Sequence, residues 1–477
     1  MSESARGLSR VWPAFTRLVA AIGVGVLLST SGCGRLLPRQ VVVPKGEPEE
    51  RAKAQAEEKP FVVEVHKRPL PDLASSAALP KVLDYAFSSS AMLEMAYRDW
   101  RAAIERIPLA SALPNAKLDF EFMLRDLKSI KAMLGQDLMA PGKQDAMAEK
   151  ALAEAQAAGE RFVAAKFTLQ KRVVQAYAEL GLNEAMLALN AEIQRLWRRS
   201  EDTIKHRFHV MAGEMDNSLA DLRKIGIEIK MAESEQRALE IMRKGLAADL
   251  NGMLTRPPDA PLGKVEFPAL EPPKEPDAAL FARAVEHNPE LAALRKEVAA
   301  RGAAEVMAKL EKRPDVMLGA GVEPMTMIMP GGMAKNVLSP MLSLGLSLPT
   351  NRPKIRAMIA EALQMREAAA AKLRGASSDT QARVAMALAG YRDAERMIKD
   401  YREQITPFAE KLLDTQVKTY GTGGGNLLDL LDTQRMLVDL RKMVLRAEAD
   451  RLRYLAELED AMGEDLFHFI PGQAEKR

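Results

Sequence analysis

Leu338–Leu348 reads LSPMLSLGLSL, and its period decides the fold. Leu338, Leu342, Leu344, Leu346 and Leu348 fall on one side of an extended chain. Ser339, Met341, Ser343, Gly345 and Ser347 fall on the other. Side chains alternate across a strand, so this pattern predicts a strand with one apolar face and one small, polar face. Three more segments repeat the alternation. In KLDFEFMLR, Leu118, Phe120, Phe122 and Leu124 oppose Asp119, Glu121, Met123 and Arg125. In IKAMLGQDLM, Ile130, Ala132, Leu134 and Leu138 oppose Lys131, Met133, Gly135 and Asp137. In DVMLGAGVE, Val316, Leu318, Ala320 and Val322 oppose Asp315, Met317, Gly319 and Glu323. One apolar and one polar face over ~9–11 residues suits a strand between lipid and a wet lumen. Four strands cannot close a barrel, but three chains giving four each would close one and leave no edge in lipid. A small antiparallel sheet outside the membrane fits the same alternation. Its support is the shortness of the strands and the scarcity of girdle aromatics, Phe120 and Phe122 alone.

The rest of the body is helical and appears twice. Runs such as ALAEAQAAGERFVAAKF and IAEALQMREAAAAKLRGA are rich in Ala, Leu, Glu, Lys, Arg and Gln at helical spacing, the composition of long helices or coiled coil. Ala86–Trp100 and Ala284–Val298 share an apolar spacing. Each is followed by a proline and an alternating segment, at Pro114 and Pro314, then by Pro141/Lys143 and by Pro349/Lys354. Each half then opens a very long helix, about Lys143–Met211 and Pro353–Tyr420, and each ends at an aromatic and glycine: FHVMAGEMDNSLADL and YGTGGGNLLDLLDTQ. At 1.5 Å per residue such a helix reaches on the order of 100 Å and survives only by packing along its length. The expected architecture is mainly α: antiparallel coiled-coil helices plus four β-strands per chain, with an internal two-fold repeat. The expected segments are 1–33 as signal peptide, 34–80 as a flexible tether, 81–265 and 266–467 as the two repeats, and 468–477 as a tail. Within the repeats, β-hairpins at 117–139 and 315–348 precede long helical hairpins at 143–254 and 353–463.

The chain has 477 residues, 47% hydrophobic and 28% charged, with a net charge of +3. That small charge gives no argument for nucleic acid, whose binders concentrate basic residues in a patch. Near the N-terminus, Arg6, Arg10 and Arg17 precede an apolar run from Leu18 to Leu28 and the small residues STSGC. The run is shorter than the ~20 residues of a spanning helix and reads as a secretory signal. Its end resembles a bacterial lipoprotein cleavage box, with Gly32 before Cys33, although Thr30 stands where that box prefers Leu. Lipidation at Cys33 is the expectation. An ordinary signal with a stray cysteine is the alternative. As the only cysteine, Cys33 excludes an intrachain disulfide framework. The segment from Pro44 to about Pro80, PKGEPEERAKAQAEEKP onward, lacks a sustained apolar face and reads as a linker.

No phosphate-binding loop, nucleophile elbow or zincin motif is present, and the chain reads as a non-enzyme without a cofactor. His206 and His209 stand three apart near a helix end without an acidic or cysteine partner, and read as a surface pair rather than a metal site. Met325, Met327, Met329 and Met333 in EPMTMIMPGGMAKNV carry thioethers suited to a soft cation. With 27 methionines in the chain, adaptable apolar filling explains them better. Asp429 and Asp432 sit among leucines just past a glycine cluster. Spacing alone reads them as acids suiting the first turn of a helix.

Tyr420–Gly463 (YGTGGGNLLDLLDTQRMLVDLRKMVLRAEADRLRYLAELEDAMG), HNPELAALRKEV and LSLPTNRPKIRA together resemble outer-membrane efflux proteins of the TolC type. Gly135–Lys143, GQDLMAPGK, is similar to the corresponding segment of the metal-efflux branch, and the resemblance covers about Leu83–Leu466 in both halves. It implies a homotrimer: a twelve-stranded β-barrel in outer-membrane lipid, continuous with a twelve-helix α-barrel crossing the periplasm. It implies passive conduction of substrates delivered by an inner-membrane pump and a periplasmic adaptor. In the family's pattern Asp429 and Asp432 match the acids that ring the periplasmic mouth. The turn Gly421, Thr422, Gly423, Gly424 and Gly425 matches the tip that adaptors engage, with its first-half partner near Ala212 and Gly213. A lipid-anchored periplasmic scaffold that binds partners and conducts nothing is the alternative from another class.

Overall fold

The computed structural model describes residues 41–63, 68, 70–122, 130–210, 215–268, 276–328, 334–422 and 424–466. The expected signal segment, Cys33 and the expected 468–477 tail lie outside them. The described residues divide into two compact units. Residues 41–45 and those within Arg106–Ala151 and Ala303–Leu363 belong to the first. Those within Gly46–Glu105, Leu152–Gly302 and Gln364–Arg477 belong to the second.

The first unit holds the sheet. Lys117–Phe122 (β1), Ile130–Leu138 (β2), Asp315–Ile328 (β3) and Ala334–Ser347 (β4) pair antiparallel in the order β1-β2-β3-β4. The register brings the four alternating patterns into phase. Leu118 pairs with Leu134, Leu134 with Ala320, and Ala320 with Leu342. One row away, Lys117 pairs with Gly135, Gly135 with Gly319, and Gly319 with Ser343. A slip of one residue in any pair would mix the two sets, so the faces fix the register. The apolar face is open: Leu118, Phe120, Leu318, Leu342, Leu344 and Leu346 are all exposed, Leu342 to 88%. On the other face Lys131 lies 3.5 Å from both Glu121 and Glu323, and Lys117 lies 2.9 Å from Asp137. Gly319 keeps that face low. A Cβ there would stand 2.3 Å from Ser343 Oγ, which donates to Met133 Sδ at 3.3 Å.

The second hairpin is longer than its leucine pattern. The expected strands over 315–323 and 338–348 leave EPMTMIMPGGMAKNV as a loop. Instead β3 continues to Ile328 and β4 begins at Ala334, pairing Met325 with Val337 and Met327 with Lys335. In the sequence Pro324, Thr326 and Asn336 break the apolar alternation, but the strand pairing continues through them. Met325 and Met327 are therefore strand residues, and Met329 and Met333 lie outside the described residues.

The helices are Glu47–Ala56 (α1), Lys59–Val62 (α2), Leu79–Ser89 (α3), Ala91–Ser111 (α4), Lys143–Val210 (α5), Met215–Met253 (α6), Asp277–His287 (α7), Pro289–Leu310 (α8), Arg352–Asp400 (α9), Thr406–Gly421 (α10) and Leu427–Met462 (α11). Two short helices, a β-hairpin and two long helical arms follow one another twice, which is the expected internal repeat. Within the second unit α9 and α11 approach closely at Gly390, where a Cβ would stand 2.6 Å from the Tyr454 ring. Gly463, at φ 69°, ends α11 in the left-handed conformation that only glycine adopts freely, and its N–H donates to Glu459 O at 2.8 Å.

Two features correct the sequence reading. Residues 34–80 were expected to form a flexible tether, but α1 and α2 are folded onto the second unit. Phe61 stacks on Tyr97 at 4.7 Å between ring centroids and meets Phe162 edge-on at 6.3 Å. Trp100 Nε1 donates to the buried Glu50 carboxylate at 2.9 Å. The apolar face of α1 is only Ala54 and the stems of Glu47 and Glu50, too small a signal for a periodicity argument. The second long helix was expected to run unbroken to Tyr420. It is interrupted by a π-helical turn, Tyr401–Ile405, closed by the Thr406 N–H on Tyr401 O. Pro407 follows directly. Its ring lacks an N–H and crowds the carbonyl four residues back, so the ladder bulges there.

Candidate functional site at the helical tip

The tip is built by the end of α10, the glycine turn and the start of α11, packed on α5 and α6 in the second unit. The last turn of α10 gives up its carbonyls in order: Thr422 N–H donates to Lys418 O and Gly424 N–H to Thr419 O, both at 3.1 Å. Gly425 then passes so close to Tyr420 that a Cβ would lie 2.9 Å from Tyr420 N. Asn426 caps α11, its side-chain oxygen accepting from Leu428 N at 3.1 Å. Leu427, Leu430 and Leu431 turn inward onto a core with Tyr420, Ile193, Trp197 and Ile225.

That burial fixes what faces outward. Asp429 and Asp432, three residues apart, share the exposed flank of the first turns of α11, with Met436 and Asp439 continuing the stripe. Asp432 is 70% exposed and accepts from Arg435 Nη1 at 3.3 Å. Arg435 also pairs with Glu228 of α6. Hydrogen bonding to Glu228, with a smaller contribution from Asp432, holds the guanidinium above its ordinary range. Asp429 has no side-chain partner among the described residues. The structure thus brings Asp429 and Asp432 to one face beside Gly421, Thr422, Gly424 and Gly425. Gly423, Ala212 and Gly213 lie outside the described residues.

Sequence reasoning missed the ties that hold α11 to its neighbours. Arg441 pairs with Glu192 of α5 at 3.5 Å and with Glu410 of α10 at 2.8 Å. Lys442 pairs with Glu235 of α6 at 2.6 Å, and Gln434 donates to Ser200 Oγ at 2.7 Å. Asp432 and Arg435 are i,i+3 neighbours on α11. The other partners sit more than thirty residues apart. Beside these ties a groove of about 520 Å³ opens between α5, α10 and α11, with Leu189, Ile193, Leu413 and Leu437 as its apolar walls and Arg441 at its rim. Among the described residues no group of three His, Cys, Asp or Glu side chains could hold a metal, and no helix is long and apolar enough to cross a membrane. Among the described residues the tip presents exposed carboxylates beside a glycine turn.

Residues 280–464, from α7 to the end of α11, match the model of the family described as outer membrane efflux protein. The match covers 185 of the 477 residues, all in the second half of the chain. The likeness in fold extends over both halves of the chain. The chain superposes on the outer-membrane channel OprN with a TM-score of 0.68 at 15% identity, over 84% of this chain and 96% of that one. It superposes on the outer membrane protein VceC of Vibrio cholerae with a TM-score of 0.65 at 17% identity, over 81% and 96%. It superposes on the open state of the MtrE outer membrane channel of Neisseria gonorrhoeae with a TM-score of 0.65 at 19% identity, over 81% and 88%. At these identities the likeness shows a shared fold. No curated protein matches this chain in sequence.

Proposed function

We propose that this chain is the outer-membrane channel component of a tripartite efflux system, passively conducting substrates handed to it by an inner-membrane pump and a periplasmic adaptor. The observation that carries this reading is the in-phase sheet: β1, β3 and β4 turn leucines or phenylalanine to one exposed face, while the other face carries charged, small and methionine side chains. Such a sheet suits lipid on one side and water on the other. β1 and β4 each pair on one side only among the described strands. Unpaired edges are not tolerated in hydrocarbon, where each orphaned backbone group costs several kcal/mol. Closure by further copies of the chain resolves this, and a homotrimer supplies twelve strands. The glycine tip then faces the adaptor, and Asp429 and Asp432, repeated by symmetry, ring the mouth and favour cations. Cys33 carries the acyl anchor, which mass measurement of the purified protein would reveal as an added lipid mass absent from Cys33→Ala.

Planar bilayers test the central claim. Purified protein should insert as a trimer and give discrete single-channel openings. A monomer that never gives openings would instead support a lipid-anchored scaffold.

A further inference from the structure

The leucines of the open sheet face end abruptly in positive charge. Leu342, Leu344, Leu346 and Leu348 are exposed to 88, 68, 57 and 65%. Four residues after Leu348 come Arg352, Lys354 and Arg356, all exposed. None has a side-chain hydrogen bond or ion pair among the described residues, and the next acid along the chain is Glu361. They occupy the start of α9, whose first turn has no acidic residue. Cations are disfavoured at that end of a helix, so the local fold does not explain them. Register adds two more. Asp315 pairs with Ser347, which puts the α8–β3 turn, with exposed Lys312 and Arg313, at the same end of the sheet. The acids there are already engaged: Lys143 lies 3.2 Å from Glu311 and 2.9 Å from Asp315. Glu311 and Asp315 share that one lysine, and Arg313 donates to Pro141 O at 2.6 Å, so the first unit carries an excess of positive charge directly beyond its apolar band.

We infer that Arg352, Lys354 and Arg356, supported by Lys312, bind the phosphate groups of anionic phospholipids at this edge of the membrane. The inference rests on the proposed function, because it needs the leucine face to lie in lipid. Continuity with that face argues for a lipid headgroup: a phospholipid whose chains cover Leu346 and Leu348 brings its phosphate to the level of the cations. Each basic side chain at such a surface contributes ~1 kcal/mol, a factor of about five in lipid preference.

The full-length protein is reconstituted into nanodiscs of phosphatidylcholine alone or mixed with phosphatidylglycerol, and the lipids that remain bound after detergent extraction are counted by native mass spectrometry. Wild-type protein should retain phosphatidylglycerol over phosphatidylcholine, less strongly as salt rises, with a higher unfolding temperature in the mixed discs. R352Q/K354Q/R356Q should lower the preference at least about fivefold, while R374Q/K399Q, on exposed cations further along α9, should leave it unchanged. Equal retention by wild type and the triple variant overturns the inference. So does an equal stabilisation by inorganic phosphate in pure phosphatidylcholine discs, which would mark a free-anion site. Wild type that inserts without headgroup preference sinks this inference alone. Wild type that does not insert sinks the channel reading with it.

Discussion

Asp429 and Asp432 differ in what surrounds them, and that difference should be measurable. Asp432 shares Arg435 with Glu228, so part of its charge is offset, whereas Asp429 has no such partner among the described residues. If both face a shared mouth, Asp429→Asn should weaken block by a trivalent cation more than Asp432→Asn does, and the double variant should weaken it most, by tenfold or more in single-channel recordings. Unchanged block in the double variant would remove both residues from the conducting path. Glu160 on α5 makes a different test. Burial raises its carboxyl above the ordinary value of 4.5, helped by nearby Glu50 and opposed by Lys53 and Lys296. The folded state therefore holds this proton more tightly than the unfolded chain does. Ionised Glu160 costs stability at neutral pH, and the cost fades as pH falls towards the unfolded value. Glu160→Gln should raise the unfolding temperature at pH 7, with the gain shrinking towards pH 4. A lower unfolding temperature for the variant at pH 7 would show that the ionised carboxylate is compensated.

Among the elements, the π-helical turn separates α9 from α10 and interrupts the α-helical hydrogen-bond ladder of that arm. Pro407→Ala restores the missing N–H and removes the clash. Hydrogen exchange across residues 398–409 should slow in the variant, and unchanged exchange would mean that packing rather than the proline sets the bulge. The turn was hidden in the sequence because Thr406-Pro407-Phe408 sits inside an otherwise helical pattern, where a kink, a break and a bulge read alike. What could be read was whatever repeats with a short period. The leucines of β4 alternate without exception from Leu342 to Leu348, and the long arms keep helical composition throughout. What could not be read depended on partners distant in sequence. α1 hides in a charged, proline-bearing segment because its docking relies on Trp100 and Tyr97 to receive Glu50 and Ala54. The far halves of β3 and β4 were missed because Pro324 and Asn336 break the alternation while the ladder continues. Asp429 and Asp432 were found through a family resemblance. Their exposure follows from the burial of Leu427, Leu430 and Leu431, which spacing predicts for any amphipathic helix.

For the whole molecule, everything turns on which face of the sheet meets lipid. The two faces are distinguishable because adjacent residues of β4 sit on opposite sides with opposite surroundings. Leu342 stands on the leucine face, 88% exposed, with Ala320 as its paired neighbour. Ser339 stands on the polar face, paired with Glu323, which already attracts Lys131. A lysine on a lipid-facing strand position near mid-bilayer costs ~2–4 kcal/mol, and one lining water costs little. Leu342→Lys should therefore lower the fraction of protein that folds into lipid vesicles and its stability there by about that amount. Ser339→Lys should fold normally, gain a carboxylate partner in Glu323, and shift the ion selectivity of the conducting pore towards anions. The reverse result, with Leu342→Lys harmless and Ser339→Lys disruptive, would put water against the leucines. Equal tolerance of both would place the sheet outside the bilayer, and the open edges of β1 and β4 would then need no closing copies.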